Sequence, residues 1–264
     1  MDEIPRLHIV TAERPGDPNI PSEDRIFTTP NACIVLDGAT QRVPLERSGG
    51  WLADELGRWL QAGLLADPLV DLVELLDEAV ANVIDTYNLV RGRSPSATVN
   101  IVRRTADHLD VLVLCDSPVV VLDGAGAIHQ IRDDRISACV ARLRPSDPIS
   151  TEVEAQYLAD IESLRNAPDG FWCISASKRS ARQSVIWQAP IIQIDTVLAM
   201  TDGVSVGVDT YRRPATWRET VELAKRHPSL VLDAVHEAEV ADIGQLQERR
   251  PKRHDDKALA LITW

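Results

Sequence analysis

Ser96-Ala97-Thr98-Val99-Asn100-Ile101-Val102 and Leu109-Asp110-Val111-Leu112-Val113-Leu114-Cys115 decide how the chain folds. Apolar residues there recur with a period of two or run unbroken, the mark of strands rather than helices. Val119 to Leu122 and Ala127 to Ile131 continue the pattern. Arg104 to His108 and Gly124-Ala125-Gly126 supply the turns. Strand follows strand without an intervening helix, so an antiparallel meander is expected, not a parallel β-α-β sheet.

Working outward toward the N-terminus, two helices are expected. Ser48 is a candidate cap for the first, whose apolar stripe is Trp51, Leu52, Leu56, Trp59, Leu60 and Leu64. Pro68 opens the second, in which Leu69, Leu72, Val73, Leu76, Val80, Val83, Ile84, Tyr87 and Val90 recur every three or four positions. Before them lie an opening strand at Arg6 to Thr11, a proline-rich loop from Ala12 to Ser22, and a hairpin joining Glu23–Phe27 to Asn31–Leu36. Toward the C-terminus, Arg132 to Ser150 reads as mostly loop and Thr151 to Leu164 as a helix. Gly170 to Ala176 reads as a strand, Lys178 to Gln183 as the start of a short helix, and Ile191 to Met200 as a further strand. Helices at Thr216–Arg226 and Ser229–Ala241, a polar loop at Gly244–Arg253 and a closing strand at Lys257–Thr263 complete the order. With no linker or repeat, residues 1–264 are expected to form one domain.

Composition excludes several classes. A formal charge of -12 would repel phosphate backbones and anionic lipid, so neither nucleic acid nor a membrane is an expected partner. No apolar run reaches the roughly 18–20 residues that span a bilayer, and Met1 to Thr11 lacks the pattern of a secretion signal. Cys33, Cys115, Cys139 and Cys173 have no close-pair spacing and read as buried free thiols in a reducing cytoplasm. No pattern in the sequence sets an oligomeric state.

Acids border the strands. Ile34-Val35-Leu36 ends in Asp37-Gly38, and Ile191 to Met200 ends in Thr201-Asp202-Gly203. Glu23-Asp24, Asp116 and Asp255-Asp256 flank other strands. Asp123-Gly124 and Asp169-Gly170 read as ordinary turns. Carboxylates that converge repel one another unless divalent cations compensate them. Oxygen donors without nearby sulfur or imidazole favour magnesium or manganese. The histidines show no metal spacing, although His254 adjoins Asp255 as a candidate outer partner. Arg249 to Arg253 reads as a solvated basic loop or a counter-charge for the acids.

Glu23-Asp24, Val35-Leu36-Asp37-Gly38, Ser96-Ala97-Thr98, Cys115-Asp116-Ser117, Met200-Thr201-Asp202-Gly203 and His254-Asp255-Asp256-Lys257 stand in one order. Together they resemble the motif series of the metal-dependent serine/threonine protein phosphatases, type 2C or PPM, over nearly the whole chain. Phe171-Trp172, Ser177–Ala181 and the basic run before Asp255 are most similar to an actinobacterial branch. The resemblance implies an α+β fold, a four-layer α-β-β-α sandwich with two antiparallel sheets flanked by helices. It implies two Mg2+ or Mn2+ ions and a third, weaker one. Asp37 would bridge two of them, Gly38 would lend its carbonyl, and Asp202 and Asp255 would complete one shell. Glu23 and Asp24 would hold the second ion, Asp116 the third, with Thr98, His254 and Asp256 as outer partners. Asp37 and Asp202 would act through a water activated by the two cations, which attacks a phosphoserine or phosphothreonine of a protein substrate.

The series also departs from the family. Asn19 stands near the usual phosphate-gripping arginine, leaving Arg14 and Arg25 as the nearest cations. Ala39 replaces a frequent histidine, Ser96 and Cys115 replace glycines, and Pro118 replaces an arginine. The alternative to an enzyme is therefore a pseudophosphatase that binds a phosphoprotein or regulator without turnover. Hydrolysis of a small phosphate ester is a third reading.

Overall fold

The structure is a computed structural model that describes residues 6–40, 45–145, 150–242 and 254–264. Its strands are β1 (His8–Arg14), β2 (Arg25–Thr28), β3 (Ala32–Gly38), β4 (Ala97–Arg104), β5 (His108–Leu114), β6 (Val119–Asp123), β7 (Ile128–Ile131), β8 (Val185–Pro190), β9 (Ile194–Met200) and β10 (Lys257–Thr263). The helices are α1 (Gly49–Ala66), α2 (Leu72–Tyr87), α3 (Arg135–Leu143), α4 (Thr151–Ser163), α5 (Asp202–Val206), α6 (Trp217–Arg226) and α7 (Pro228–Ala241). The strands form two antiparallel five-stranded sheets, in the orders β1-β10-β9-β6-β7 and β2-β3-β4-β5-β8.

Alternation along the strands builds the layers. In β3, Cys33 and Val35 face the second sheet, where Val197, Ala199, Ala258, Ala260 and Ile262 meet them. Ala32, Ile34 and Leu36 face outward under α1 and α2. The opposite sheet sends Leu198, Met200, Leu259 and Leu261 outward beneath α6 and α7. The result is the expected α-β-β-α sandwich: each sheet is apolar on both faces because each is covered on both.

Local chemistry sets the helix limits. Ser48 caps α1, accepting from the Trp51 amide at 3.1 Å. Leu52, Leu56, Leu60 and Leu64 form its buried stripe, whereas Trp59 is exposed. A stripe at spacing four leaves position 59 beside the contact face rather than on it. The second helix does not open at Pro68. Asp71 accepts from the Val73 and Glu74 amides and starts α2 at Leu72, while Asn88 ends it in the left-handed region. Leu69 and Val90 therefore lie outside the helix and are exposed.

Several further expectations need correction. The four strands from Ala97 to Ile131 are all present, but they do not form one meander. The chain passes from one sheet to the other between β5 and β6, at Cys115 to Pro118. Arg132 to Ser150 contains α3, an amphipathic helix that buries Cys139 against Phe171 and Cys173. Gly170 to Ala176 makes only isolated bridges, Arg165 with Phe171 and Ala97 with Ile174. In its place β8 fills the sheet edge, and Asp202-Gly203 follows β9 and opens the short helix α5. The expected loop at Gly244–Arg253, with its basic run, lies outside the described residues.

Candidate metal centre

Strand register gathers the acids. Gly38 pairs with Ala97, Arg25 with Leu36 and Val99 with Leu114. The end of β3, the start of β2 and the end of β5 therefore share one end of their sheet, carrying Asp37, Asp24 and Asp116. In the other sheet Met200 pairs with Leu259 and Ala199 with Val119, which brings Asp202 and Asp255 to one end. Side chains join the two ends. The Thr201 hydroxyl donates to Asp24 Oδ2 at 2.8 Å, and Asn100 Nδ2 donates to the carbonyls of Ser117 and Met200.

Glycines let these segments approach. A Cβ on Gly38 would strike the backbone of Gly49 and Gly50 at the start of α1, and one on Gly50 would press on Glu23. Gly38 is thus required by a crossing helix, not by a left-handed turn; its φ is not positive. Gly203 and Gly16 close in the same way on the His254–Asp256 segment.

Hydrogen bonds then orient the acids. Asp256 grips backbone, accepting from Gly16 N at 2.8 Å and Glu23 N at 2.7 Å. The Glu23 carboxylate accepts from Thr40 Oγ1 at 2.7 Å and from Gly50 N at 3.3 Å. Thr98, the register partner of Asp37, shares a short hydrogen bond with the buried Ser117. Cys115 holds the left-handed conformation, φ 69°, at a position where a glycine was the family's expectation, and its amide donates to Asp133 at 3.0 Å. That turn aims Asp116 back toward the cluster.

Electrostatics place Asp24, Asp202, Asp255 and Asp116 around Asp37, although among the described residues no three of these acids bring one oxygen each within 4.8 Å of one another. Burial pushes Asp37 well above the usual carboxylate range, and the charges of Asp24, Asp202, Asp255 and Asp116 push it further. Burial likewise raises Asp24; the Thr201 hydroxyl opposes this, while Asp256, Asp202 and Asp255 add to it. Asp116 is raised by burial, opposed by hydrogen bonds from Cys115 and its own backbone, with Asp133 and Asp255 adding repulsion. The strongest charged neighbours of Asp37 are all acids. An acidic, oxygen-only donor set of this kind suits hard divalent cations.

The candidate phosphate-gripping cations are committed elsewhere. Arg14 pairs with Asp233 of α7 at 2.7 Å. Arg25 donates to the carbonyls of Ser22 and Asp24 and lies 3.8 Å from Asp54. Asn19 folds back on Asp17 at the surface. Cys33, Cys115 and Cys173 are not poised as nucleophiles: burial pushes Cys33 up to about 12 and Cys173 up to about 11, and burial raises Cys115 as well.

Sequence reasoning missed the residues that brace the acids. Thr201 links Asp24 to the Ala258 amide, and Asn100 bridges the sheets. Behind Asp255 lies a further charged group. Glu239 of α7 accepts from Lys257 Nζ at 2.8 Å, His254 Nδ1 lies 3.0 Å from the same oxygen, and Lys257 also donates to the Asp255 carbonyl. Glu239 and Lys257 are wholly buried. The available signal was an acid on the apolar face of α7, one helical turn after His236.

Comparison with known proteins places this architecture. No family model matches the chain. A 130-residue stretch is 24% identical to the large tegument protein deneddylase of Epstein-Barr virus (strain GD1); the match covers 42% of this chain, and the chain spans 4% of that protein. Solved structures agree over the full length. The catalytic domain of the serine/threonine protein phosphatase PstP, in complex with two manganese ions, superposes with a TM-score of 0.59 at 13% identity, covering 98% of each chain. The PPM phosphatase MsPP of Mycobacterium smegmatis, in complex with cacodylate, gives 0.60 at 17%, covering 98% of this chain and 99% of that one. Stp1 of Staphylococcus aureus gives 0.63 at 14%, covering 100% and 97%. The chain has the fold of the PPM serine/threonine phosphatases.

Proposed function

We propose that this chain is a divalent-cation-dependent phosphatase that hydrolyses phosphoserine or phosphothreonine in proteins. The observation that carries the reading is the raised, mutually repelling set around Asp37, drawn from separate segments of both sheets. Such a cluster is destabilising unless cations occupy it, so its construction implies a use for them.

Asp37, Asp202 and Asp255, with the Gly38 carbonyl, would hold one Mg2+ or Mn2+. Glu23 and Asp24 would hold a second, and Asp116 a third, weaker one. Bound there, the cations supply positive charge that lowers the pKa of water and offsets charge on a phosphoryl group. The structure of PstP with two manganese ions shares this fold and supports that choice of ion. The protein's own part is orientation: Thr201 directs Asp24, Thr40 and Gly50 direct Glu23, and Asp256 clamps the Gly16 and Glu23 backbone. The free, buried cysteines fit a reducing compartment such as the cytoplasm. No helix among the described residues is long and apolar enough to cross a membrane.

A second reading is favoured by the engagement of Arg14 and Arg25 with Asp233 and with local carbonyls. On that reading the chain is a pseudophosphatase that holds a phosphoprotein or regulator without turnover. One experiment separates the two: hydrolysis of an aryl phosphate and a phosphothreonine peptide with manganese, with chelator, and in Asp37→Asn. A manganese-dependent rate lost in the variant supports the enzyme. Saturable phosphopeptide binding with no rate above the Asp37→Asn background supports the binding module.

A further inference from the structure

We propose that His236, Glu239 and His254 form a separate, imidazole-rich cation site on the α7 side of the sandwich, taking zinc or a comparable borderline divalent ion. This assignment does not depend on the phosphatase reading.

The donor atoms of the three residues converge. One ligand atom from each residue lies within 4.8 Å of the other two. His254 Nδ1 is 3.0 Å and His236 Nδ1 is 3.9 Å from the same oxygen, Glu239 Oε2. A tetrahedral zinc with ligands at about 2.0–2.1 Å requires neighbouring donor atoms about 3.3–3.4 Å apart. The two observed separations bracket that value. His236 and Glu239 are one helical turn apart on α7, so a single face presents both, and His254 arrives from the segment before β10.

Charge balance alone does not explain the arrangement. Lys257 already compensates Glu239 at 2.8 Å, so the carboxylate has no need of two imidazoles. Yet both rings turn Nδ1 toward it, with centroids 4.7 Å apart. His236 Nδ1 is buried with no hydrogen-bond partner, a polar atom whose placement is otherwise unexplained. Lys257 would remain as the outer hydrogen-bond partner of a ligating carboxylate, tied to the Asp255 carbonyl. Its charge, with that of Arg14 nearby, keeps the affinity below that of a closed structural zinc site.

A cleft of about 400 Å³, lined among the described residues by Gly16, Asp17, Pro18 and His254, adjoins the His254 side. Three protein ligands would leave a fourth position to water or a small ligand, as in zinc sites that are not purely structural. Imidazole donors separate this site from the oxygen-only cluster, which prefers magnesium or manganese.

The test uses the full chain, stripped with chelator and then held in saturating magnesium to occupy the carboxylates. Zinc is titrated against a chromophoric competitor, and cobalt serves as the spectroscopic probe. One zinc equivalent is expected, with a visible band of four-coordinate cobalt. His236→Gln and His254→Gln should each weaken zinc binding by roughly 10- to 100-fold or more and remove the band. His129→Gln, on exposed β7, should leave both unchanged. Histidine-resolved NMR of the unmutated chain supplies a readout that needs no variant: zinc should shift His236 and His254 but not His129. The proposal is overturned if zinc does not bind saturably, if neither histidine variant weakens it, or if Asp37→Asn abolishes binding while His236→Gln retains it.

Discussion

Two buried charge clusters lie back to back in this fold, joined by consecutive residues. Around Asp37 the strongest charged neighbours are acids, and burial raises the carboxyls of Asp37, Asp24 and Asp116. Around Glu239, Lys257 supplies the opposite charge within 2.8 Å although both groups are wholly out of water. Asp255 faces the first cluster while its carbonyl takes a bond from Lys257 of the second. Burial alone therefore does not mark a functional site. The difference lies in what surrounds each carboxylate: a lysine stands against Glu239, whereas the strongest charged neighbours of Asp37 among the described residues are further acids.

The largest effect should come from breaking the acidic cluster around Asp37. On the phosphatase reading, Asp37→Asn should lower the manganese-dependent rate by at least ~100-fold, measured on a phosphothreonine peptide; an undiminished rate would remove Asp37 from the site. Next is the compensated cluster. Lys257→Met should destabilise the fold by about 3–5 kcal/mol, because it leaves Glu239 without its ammonium partner. Replacing both, Lys257→Met with Glu239→Leu, should recover most of that loss in denaturant titrations. If the double variant is no better than the single, the pair is not the source of the stability.

The two clusters should respond with opposite signs in the absence of metal. Asp37→Asn removes repulsion, so in chelator it should raise the unfolding midpoint by roughly 2–4 °C, the equivalent of about 1 kcal/mol in a chain of this size. A fall in the midpoint would mean that Asp37 is already compensated. The pH dependence follows from the same shifts. A carboxyl raised in the folded state favours folding while protonated, and that contribution disappears as pH rises through its folded value. Metal-free stability should therefore decline as pH rises above the ordinary carboxylate range, and Asp37→Asn or added manganese should flatten the decline. Calorimetry from pH 5 upward, with and without chelator, checks this. The smallest effect should be Cys115→Gly. Relief of about 1 kcal/mol of left-handed strain offsets the lost thiol burial, leaving stability within about 1 kcal/mol of the parent. Cys115→Val, which is β-branched, should be clearly worse at the same φ.

Much of the framework was legible because it is written in local patterns. The closing strand Lys257–Thr263 and the helix capped by Ser48 were read with correct starts, since alternation and capping act over a few residues. Where the pattern was weak, the reading failed. In β8 Ile186 points to solvent beside the inward Val185 and Trp187, which blurs the alternation. In α3 the stripe Ile136, Cys139, Val140 and Leu143 has helical spacing, but it spans only nine residues inside a polar, proline-containing stretch that reads as loop. The Cys115–Pro118 crossing was invisible because both sheets use the same period; only packing decides which strand joins which sheet.

By itself the sequence determined the acids, their place at strand ends and most of the element order, because these follow from residue type and short-range periodicity. It also carried the motif series that pointed to this fold. Tertiary structure alone decided that the acids of two sheets meet with no cation among the strongest neighbours of Asp37, and that Arg14 and Arg25 are held elsewhere. It alone brought His236 and Glu239 to His254 across a chain separation of 15 residues or more. The physical reason is range: capping and alternation act between neighbours in sequence, whereas Coulomb repulsion, desolvation and coordination act between neighbours in space.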